Sequence, residues 1–245
     1  FDNRIAHNSI HDLFYTAISA GWSWGYGDSL NRGNIIEFND IHDIGAKRGD
    51  GGGVILSDMG GIYLLGARNG TVVRNNRIHD VRRFKYGGWG IYLDEGSSDS
   101  IIEKNVVYDT TDGAFHQHYG KDNRVRNNIF AFGGKAQVVR TLAEPHQSFT
   151  FERNVVYWKA GPLIASAKDG MIFDHNLYGG VSAATFRAGG LGWQAWQAAG
   201  MDTHSILADP KFVDVAKRDI RLQTESPASK IGFVPFDITS AGALP

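Results

Sequence analysis

The sequence Asn8-Ser-Ile-His-Asp12 recurs as Asn39-Asp-Ile-His-Asp43 and as Asn76-Arg-Ile-His-Asp80. Weaker copies of this motif begin at four further asparagines, Asn105, Asn128, Asn154 and Asn176. The intervals between neighbouring asparagines run from 22 to 37 residues, so the shortest represents the bare repeat and the longer ones carry inserted loops. Repeats of this length are typical of stacked architectures, in which each unit packs on its neighbours.

Short segments of alternating apolar and polar residues precede the asparagines, as in residues 34–38, 71–74 and 101–103. A second segment begins at a glycine that stands 15 residues before its asparagine in four repeats: Gly61, Gly90, Gly113 and Gly161. Helical periodicity is missing through residue 180. Each unit therefore predicts two or three short strands joined by turns.

The predicted fold is an all-β, right-handed parallel β-helix of about seven coils over residues 1–180. A unit this short cannot bury its own apolar face, whereas stacked units form one continuous core. We expect the repeated asparagine to adopt the left-handed conformation at a turn and to bond the next coil through its side-chain amide. Propeller blades are longer, and leucine-rich repeats carry leucine where this chain has asparagine and valine.

The repeat pattern stops near residue 180, and residues 181–245 are predicted to form a C-terminal capping region packed on the β-helix. Leu191–Ala199 predicts a short helix that ends before Gly200, and residues 208–213 and 219–222 predict short strands. Phe1 enters directly into a coil, which favours a fragment of a longer chain.

Composition narrows the function classes. The 245 residues hold 25 Lys and Arg against 26 Asp and Glu, which argues against nucleic-acid or polybasic membrane partners. An apolar run long enough to span a membrane is missing. The absence of cysteine excludes disulfides, thiol catalysis and zinc–thiolate sites.

Four segments resemble a known group of proteins: Ala17–Trp24, Leu56–Tyr63, Gly88–Gly96 and Asp112–His118. They are similar to right-handed parallel β-helix carbohydrate-active enzymes and, more narrowly, to glycoside hydrolase family 141 and its relatives. The resemblance covers most of the chain and implies hydrolysis of a fucoside- or xylan-type polysaccharide from plants or microbes. That substrate class implies a secreted or periplasmic bacterial protein. Family members are usually longer, so a missing N-terminal part of the same chain is a further expected partner.

Polar residues concentrate on two neighbouring coils when the coils are aligned on the four glycines. This alignment brings together Asp94, Glu95, His116, Gln117 and His118. It places His116 in the column of Leu64 and Leu93. Asp58 enters the same face just before the preceding strand, and Asp50 lies further out in a glycine-rich loop.

Hydrolysis of a glycosidic bond usually needs one protonated and one ionised carboxyl group, and neighbouring carboxylates raise the pKa of one of them. We predict Asp58 and Asp94 as this pair, with Glu95 as a substitute for either. His116 is the fourth predicted catalytic residue, and it would orient a carboxylate or bond a sugar hydroxyl. The sequence leaves open whether the carboxyls have the separation of a retaining or of an inverting enzyme.

Apolar faces of sugar rings stack on aromatic side chains. The predicted platforms are Trp22, Trp24 and Trp89. The other predicted substrate-binding residues are Tyr92, Gln117, His118 and Arg140, of which the arginine would suit an acidic sugar. No cofactor and no metal centre are predicted, although a structural Ca²⁺ is left open.

Simpler structural roles compete with these assignments. An aspartate beside a glycine often caps a turn, Glu95 could end a solvated strand, and the loop tryptophans could pack on the barrel. His11, His42 and His79 belong to the repeat and are predicted to be structural.

Two other functions stay open. A polysaccharide lyase of the same fold would use a base beside a uronate carboxylate and often Ca²⁺. The predicted cluster contains acids and histidines but no lysine, which disfavours this reading. A non-catalytic glycan-binding β-helix would show aromatic contacts without a pair of interacting acids.

Overall fold

A computed structural model describes residues 1–45, 53–54, 56–166 and 169–244. Asp50 lies outside the described residues. The described strands are β1 (Arg4–Ala6), β2 (Ser9–Leu13), β3 (Ile18–Gly21), β4 (Ile35–Glu37), β5 (Asp40–Ile44), β6 (Gly60–Leu65), β7 (Val72–Arg74), β8 (Arg77–Val81), β9 (Trp89–Asp94), β10 (Ile101–Glu103), β11 (Val106–Thr110), β12 (Phe115–Gln117), β13 (Asn123–Arg126), β14 (Ile129–Ala131), β15 (Val138–Arg140), β16 (Phe149–Glu152), β17 (Val155–Tyr157), β18 (Met171–Asp174), β19 (Leu177–Gly179), β20 (Ile206–Leu207), β21 (Phe212–Asp214) and β22 (Asp219–Leu222).

Three parallel sheets run along the molecule. Sheet 1 has the order β1-β4-β7-β10-β13-β16-β18, sheet 2 has β2-β5-β8-β11-β14-β17-β19-β20, and sheet 3 has β3-β6-β9-β12-β15. Each strand pairs with the equivalent strand of the next coil, so the chain winds once through all three sheets per coil. The predicted right-handed parallel β-helix is confirmed.

The core is a set of inward columns, because side chains alternate between the two faces of a strand. Sheet 1 contributes Ile36, Val73, Ile102 and Val125, which are fully buried. The other two sheets add the buried columns Ile41, Ile78, Val107, Phe130, Val156 and Ile62, Ile91, Phe115, Val138. Each such side chain contributes about 1.5–3 kcal/mol on burial.

The corner between sheets 1 and 2 is two residues long in every coil and ends in the repeated asparagine, as in Phe38-Asn39 between β4 and β5. The first of these residues is left-handed, with φ of 54° at Phe38, while the repeated asparagine is not. The prediction that the asparagine itself is left-handed was therefore wrong. In Asn39, for example, the backbone N–H and the side-chain amide both donate to one acceptor on the next coil, Oδ1 of Asn76, at 3.0 and 2.9 Å.

The asparagines form a continuous ladder from Asn8 to Asn176, in which each donates to Oδ1 of the next. The ladder ends on the C-terminal region. Asn176 donates from Nδ2 to Oδ1 of Asp202 at 3.1 Å and from its backbone N–H to Oγ of Ser205 at 2.7 Å. These contacts satisfy buried amides that would otherwise cost free energy.

The C-terminal region contains helix α1 (Trp193–Ala198), a 3₁₀ helix over Pro227–Ile231 and the antiparallel pair β21–β22. Helix α1 is shorter than predicted, and Gly200 follows it with φ of 86°. The chain then returns across the outer face of sheet 2, where Gly242 donates to the carbonyl of Phe38 at 2.9 Å. None of the described helices is long and apolar enough to cross a membrane.

Gly90 lies where β9 passes closest to its neighbours. A Cβ atom there would stand 2.2 Å from Cγ1 of Val107 and 2.5 Å from the carbonyl oxygen of Ala114. We expect Gly90→Ala to lower the free energy of unfolding in urea by about 2–3 kcal/mol through overpacking. Gly27→Ala is the matched control, because a Cβ at Gly27 meets nothing within 4 Å. Equal losses in the two variants would contradict this explanation of the repeated glycine.

Candidate active-site groove

A groove of about 700 Å³ lies on the outer face of sheet 3. Outward residues of β9, β12 and β15 form its floor, and the loops before β6 and β9 form one wall. The residues that line it are Asp58, Tyr86, Trp89, Tyr92, Asp94, Glu95, Asp112, His116, His118, Lys135, Ala136, Val139, Thr141, Pro162 and Ala165. The four predicted catalytic residues all belong to this set.

The strand register changes the assignment of His116 and Gln117. His116 pairs with Tyr92, and Gln117 pairs with Leu93. His116 therefore lies on the outer face above Tyr92 rather than in the column of Leu64 and Leu93, as the sequence predicted. Gln117 points inward, is fully buried and bonds the carbonyl of Gly120 at 2.9 Å. The prediction that Gln117 binds substrate was wrong for this reason.

Tyr92 interacts with both Asp58 and Asp94. The hydroxyl of Tyr92 donates to Oδ1 of Asp58 at 3.3 Å, and the charge of the nearby Asp94 carboxylate raises the pKa of the same phenol. Tyr63 donates a second hydrogen bond to Oδ2 of Asp94 at 2.5 Å. Asp94 is buried, and it sits at the end of β9 where its side chain faces outward.

The electrostatics of the pair favour a protonated Asp58. Burial and then the neighbouring Asp94 carboxylate raise the pKa of Asp58 above its ordinary value of 3.8, whereas the Tyr92 hydrogen bond opposes the shift. Burial and Asp94 also raise the pKa of the Tyr63 and Tyr92 phenols, so both stay protonated donors at neutral pH. The arrangement can hold one proton between two carboxyls.

His116 is a positioning group in this groove. Its ring stacks on Tyr92 with centroids 4.6 Å apart, and it packs against Trp89 at 4.0 Å. Burial, followed by the neighbouring His118, lowers the pKa of His116 well below 6.5, so the ring is neutral near pH 7. Its Nε2 contacts Oγ1 of Thr141 at 3.0 Å, and that oxygen also contacts Nδ1 of His118 at 2.6 Å.

One threonine hydroxyl therefore bridges two imidazoles. Because a hydroxyl carries a single hydrogen, at most one of the two rings can accept from Thr141, and at least one must donate to it. Among the described residues, Nδ1 of His116 and Nε1 of Trp89 are buried in the groove wall without a hydrogen-bond partner.

Glu95 lies beside the pair rather than in it. Its Oε2 accepts a hydrogen bond from Tyr119 at 3.0 Å. One oxygen each from Asp94 and Glu95 and one nitrogen of His118 lie within 4.8 Å of one another. This trio has the composition of a cation site, and the structural Ca²⁺ left open by the sequence would have carboxylate oxygens available here.

Of the three predicted aromatic platforms, only Trp89 lines the groove. Trp89 is only 5% exposed because Tyr92 and His116 cover its ring. It therefore offers no free face for a sugar to stack on, contrary to the prediction. Trp22 and Trp24 are 44% and 61% exposed and lie outside the groove lining. Trp22 contacts Tyr63 at 5.5 Å, which places both tryptophans at the end of the groove nearest the first coils.

Arg140 does not reach the groove. It pairs with the inward Gln117 in sheet 3, is buried, and its guanidinium donates to the backbone carbonyl of Asp169. The predicted contact with an acidic sugar was wrong because the register turns this side chain inward.

The sequence did not single out Tyr63, which bonds Asp94, or Tyr86 and Thr141, which line the groove. Tyr63 stood in the same column as Tyr92, which was the available signal. Tyr86 is half exposed and its loop contacts the Asp58 backbone, so it is the most accessible aromatic face at the groove. Thr141 follows β15 directly and has no distinguishing pattern in the sequence.

The histidines of the repeat are arranged as structural groups. His11, His42 and His79 stack in a row with ring centroids 4.8 and 5.1 Å apart, and Tyr108 continues the row. Each Nδ1 contacts the aspartate that follows it in the sequence at 2.6–2.8 Å. The row lies on sheet 2, away from the groove.

A second cavity, of about 670 Å³, lies between sheet 2 and the C-terminal segment. Its apolar floor includes Val106 and Ile129, and its arginines are ion-paired, as Arg218 is with Asp109 at 2.6 Å. The groove on sheet 3 is the better candidate because its acids face each other.

Comparison with known proteins agrees with this architecture. A family model described as a right-handed beta helix region matches residues 2–178. The chain belongs to this family. The match covers the coils and ends within β19. No curated protein and no solved structure matches the chain.

Proposed function

We propose that this β-helix protein is a glycoside hydrolase that cleaves a polysaccharide with Asp58 and Asp94. The observation that carries the proposal is that Asp58 and Asp94 line one groove, where Tyr92 donates to Asp58 and Tyr63 donates to Asp94. Membership of the right-handed β-helix family is compatible with a carbohydrate-active protein. The resemblance of residues 88–96 and 112–118 to glycoside hydrolase family 141 makes a fucoside- or xylan-type glycan the substrate to try first.

In this mechanism Asp58 is the general acid. Its raised pKa keeps a proton available, and it gives that proton to the glycosidic oxygen as the bond breaks. Asp94 is the second carboxyl group, held in place by Tyr63. It acts on the anomeric carbon directly or through a water molecule, the two courses that paired carboxyl groups can support.

The surrounding groups bind the sugar. His118, which lines the groove near Asp94 and Glu95, would contact ring hydroxyls. Tyr86 would provide the stacking face. A secreted or periplasmic location follows from the substrate class, and it belongs to the same proposal.

A polysaccharide panel tests the proposal when it is read by two assays, for new reducing ends and for the absorbance of an unsaturated uronide. We expect reducing ends without the chromophore. A rising chromophore would contradict hydrolysis and indicate a lyase. Glycan binding without turnover would contradict both and indicate a binding module.

The pH profile gives a sharper test of Asp58. Because its pKa in the folded protein is raised, the acid is active below that pKa and kcat/KM falls as pH rises through it. The negative charge of Glu95 raises this pKa, and the hydrogen bond from Tyr92 lowers it. Glu95→Gln should therefore move the basic limb to lower pH, and Tyr92→Phe should move it to higher pH, each by about 0.5 unit.

Opposite shifts from the two substitutions are the decisive result. A basic limb that stays put in both variants would show that another group supplies the proton. Complete loss of activity in Glu95→Gln would assign the second carboxyl role to Glu95 instead of Asp94.

A further inference from the structure

We propose that Asp174, His175 and His204 form a binding site for a divalent transition-metal ion of the zinc class. The site lies where the last coil meets the C-terminal region. Asp174 ends β18, His175 follows it directly, and His204 precedes β20. It is remote in the fold from the groove on sheet 3 and does not depend on the proposed hydrolase activity.

Three ligand atoms converge in this cluster. Oδ2 of Asp174 lies 2.7 Å from Nδ1 of His204 and 3.1 Å from Nδ1 of His175. The two imidazoles stack with centroids 4.8 Å apart, so both nitrogens face the same oxygen. Ligand atoms of a tetrahedral zinc ion lie about 3.3–3.5 Å apart, which follows from bond lengths near 2.1 Å. Small movements of exposed side chains would therefore admit the ion.

The carboxylate is already oriented for this role. Its other oxygen, Oδ1, accepts the backbone N–H of His204 at 2.7 Å. A hydrogen bond of this kind fixes the direction of a metal ligand and increases affinity. Oγ1 of Thr203 lies 3.2 Å from Nδ1 of His204 and completes the polar surroundings.

The histidine row on sheet 2 provides a contrast within the same chain. There each imidazole bonds the aspartate next to it in the sequence, so each carboxylate serves one ring. In the cluster at Asp174, two imidazoles from different coils share a single carboxylate oxygen. Sharing of one oxygen by two rings is the arrangement that a bound cation would organise.

The outer face of sheet 1 gives independent support. The strand register aligns Glu37, Arg74, Glu103, Arg126, Glu152 and Asp174 in one row. Charges alternate along this row until its end, where Glu152, which is paired with Arg153 at 2.8 Å, stands next to Asp174. Like charges directly opposite are destabilising on a sheet. A bound cation at Asp174 would restore the alternation.

The donor set selects the class of metal. Two imidazoles and one carboxylate suit Zn²⁺, Ni²⁺ or Cu²⁺, whereas Ca²⁺ and Mg²⁺ require mainly oxygen ligands. Three protein ligands leave a fourth position for water, as in open zinc sites.

Calorimetric titration of the 245-residue chain with ZnCl₂ tests the site, in a buffer that does not bind zinc. We expect one equivalent to bind tightly enough to saturate below 100 μM zinc, a range appropriate to a three-ligand site. His204→Ala and Asp174→Asn should each weaken this equivalent at least tenfold. His204 lies at the surface with 66% of its side chain exposed, so the melting curve of His204→Ala without zinc should match the wild type.

Two further histidine variants locate the ion. His118→Ala removes a ligand from the trio with Asp94 and Glu95, and His42→Ala removes a ring from the histidine row. The proposal requires that both variants still bind the zinc ion that His204→Ala no longer binds. It is overturned by absent binding in this range, by retention in His204→Ala, or by equal weakening in all the histidine variants.

Discussion

Asp94→Asn should lower kcat on the cleaved polysaccharide by at least about 10³-fold, while the circular dichroism spectrum stays unchanged. The amide keeps the size of the carboxylate and can still accept the hydrogen bond from Tyr63. It cannot stabilise or bond the positively charged anomeric centre, and general-base or nucleophilic roles are typically worth 10²–10⁴-fold or more. Reducing-end release at saturating substrate measures the effect.

Asp112→Asn is the matched control. Asp112 is also a buried carboxylate that lines the groove, but it is paired with Arg83 at 3.6 Å and Lys135 at 3.5 Å. We expect less than a tenfold loss of kcat there. If Asp112→Asn is as damaging as Asp94→Asn, or if Asp94→Asn keeps its turnover, the assignment of the carboxyl pair is wrong.

Asn105→Leu is expected to lower the free energy of unfolding by more than about 4 kcal/mol. Asn105 is fully buried, and its side chain makes four hydrogen bonds. Two come from Asn76, and two go to Asn128 and to the carbonyl of Val73. Leucine fills the space but leaves these buried partners unsatisfied, at about 1–3 kcal/mol each. Urea unfolding followed by tryptophan fluorescence gives the measurement.

Asn8→Leu tests whether position in the ladder decides the loss. Asn8 belongs to the first coil, and its side chain is exposed. It donates to Oδ1 of Asn39 at 2.8 Å, which water can replace. The expected cost is about 1 kcal/mol. Similar costs at Asn8 and Asn105 would mean that burial of the ladder contributes little to stability.

The fold was predictable because the asparagine repeat is a direct consequence of stacking. The register of sheet 3 was harder to predict from the sequence. Gly90 and Gly113 both stand 15 residues before an asparagine, yet Ile91 pairs with Phe115. The turn from sheet 3 to sheet 1 is one residue shorter after β12 than after β9, which shifts the true alignment by one position. A shift of one residue exchanges the two faces of a strand, and it turned Gln117 and Arg140 inward.

Part of the site was also predictable from the sequence. Acidic residues at the ends of sheet 3 strands stood out against the apolar columns of neighbouring coils. Asp58 and Asp94 lie in one groove, although Asp58 comes 14 residues after the end of β5 in the sequence. The hydroxyls of Tyr63 and Thr141 were not predictable, because their role depends on which side chain each oxygen meets in space.

The constant corner between sheets 1 and 2 has a consequence for how such proteins diversify. Because this corner always has two residues, the strands of sheets 1 and 2 keep the same relative position in every coil. A change of loop length in one coil therefore does not shift the strands of the next coil. The other corners differ in length, and Asp58, Tyr86 and Thr141 lie on them. Insertions and deletions at these corners alter the side chains around the groove and leave the register of the stacked strands unchanged. The loops around the groove can thus change while the stacked strands and the asparagine ladder stay the same.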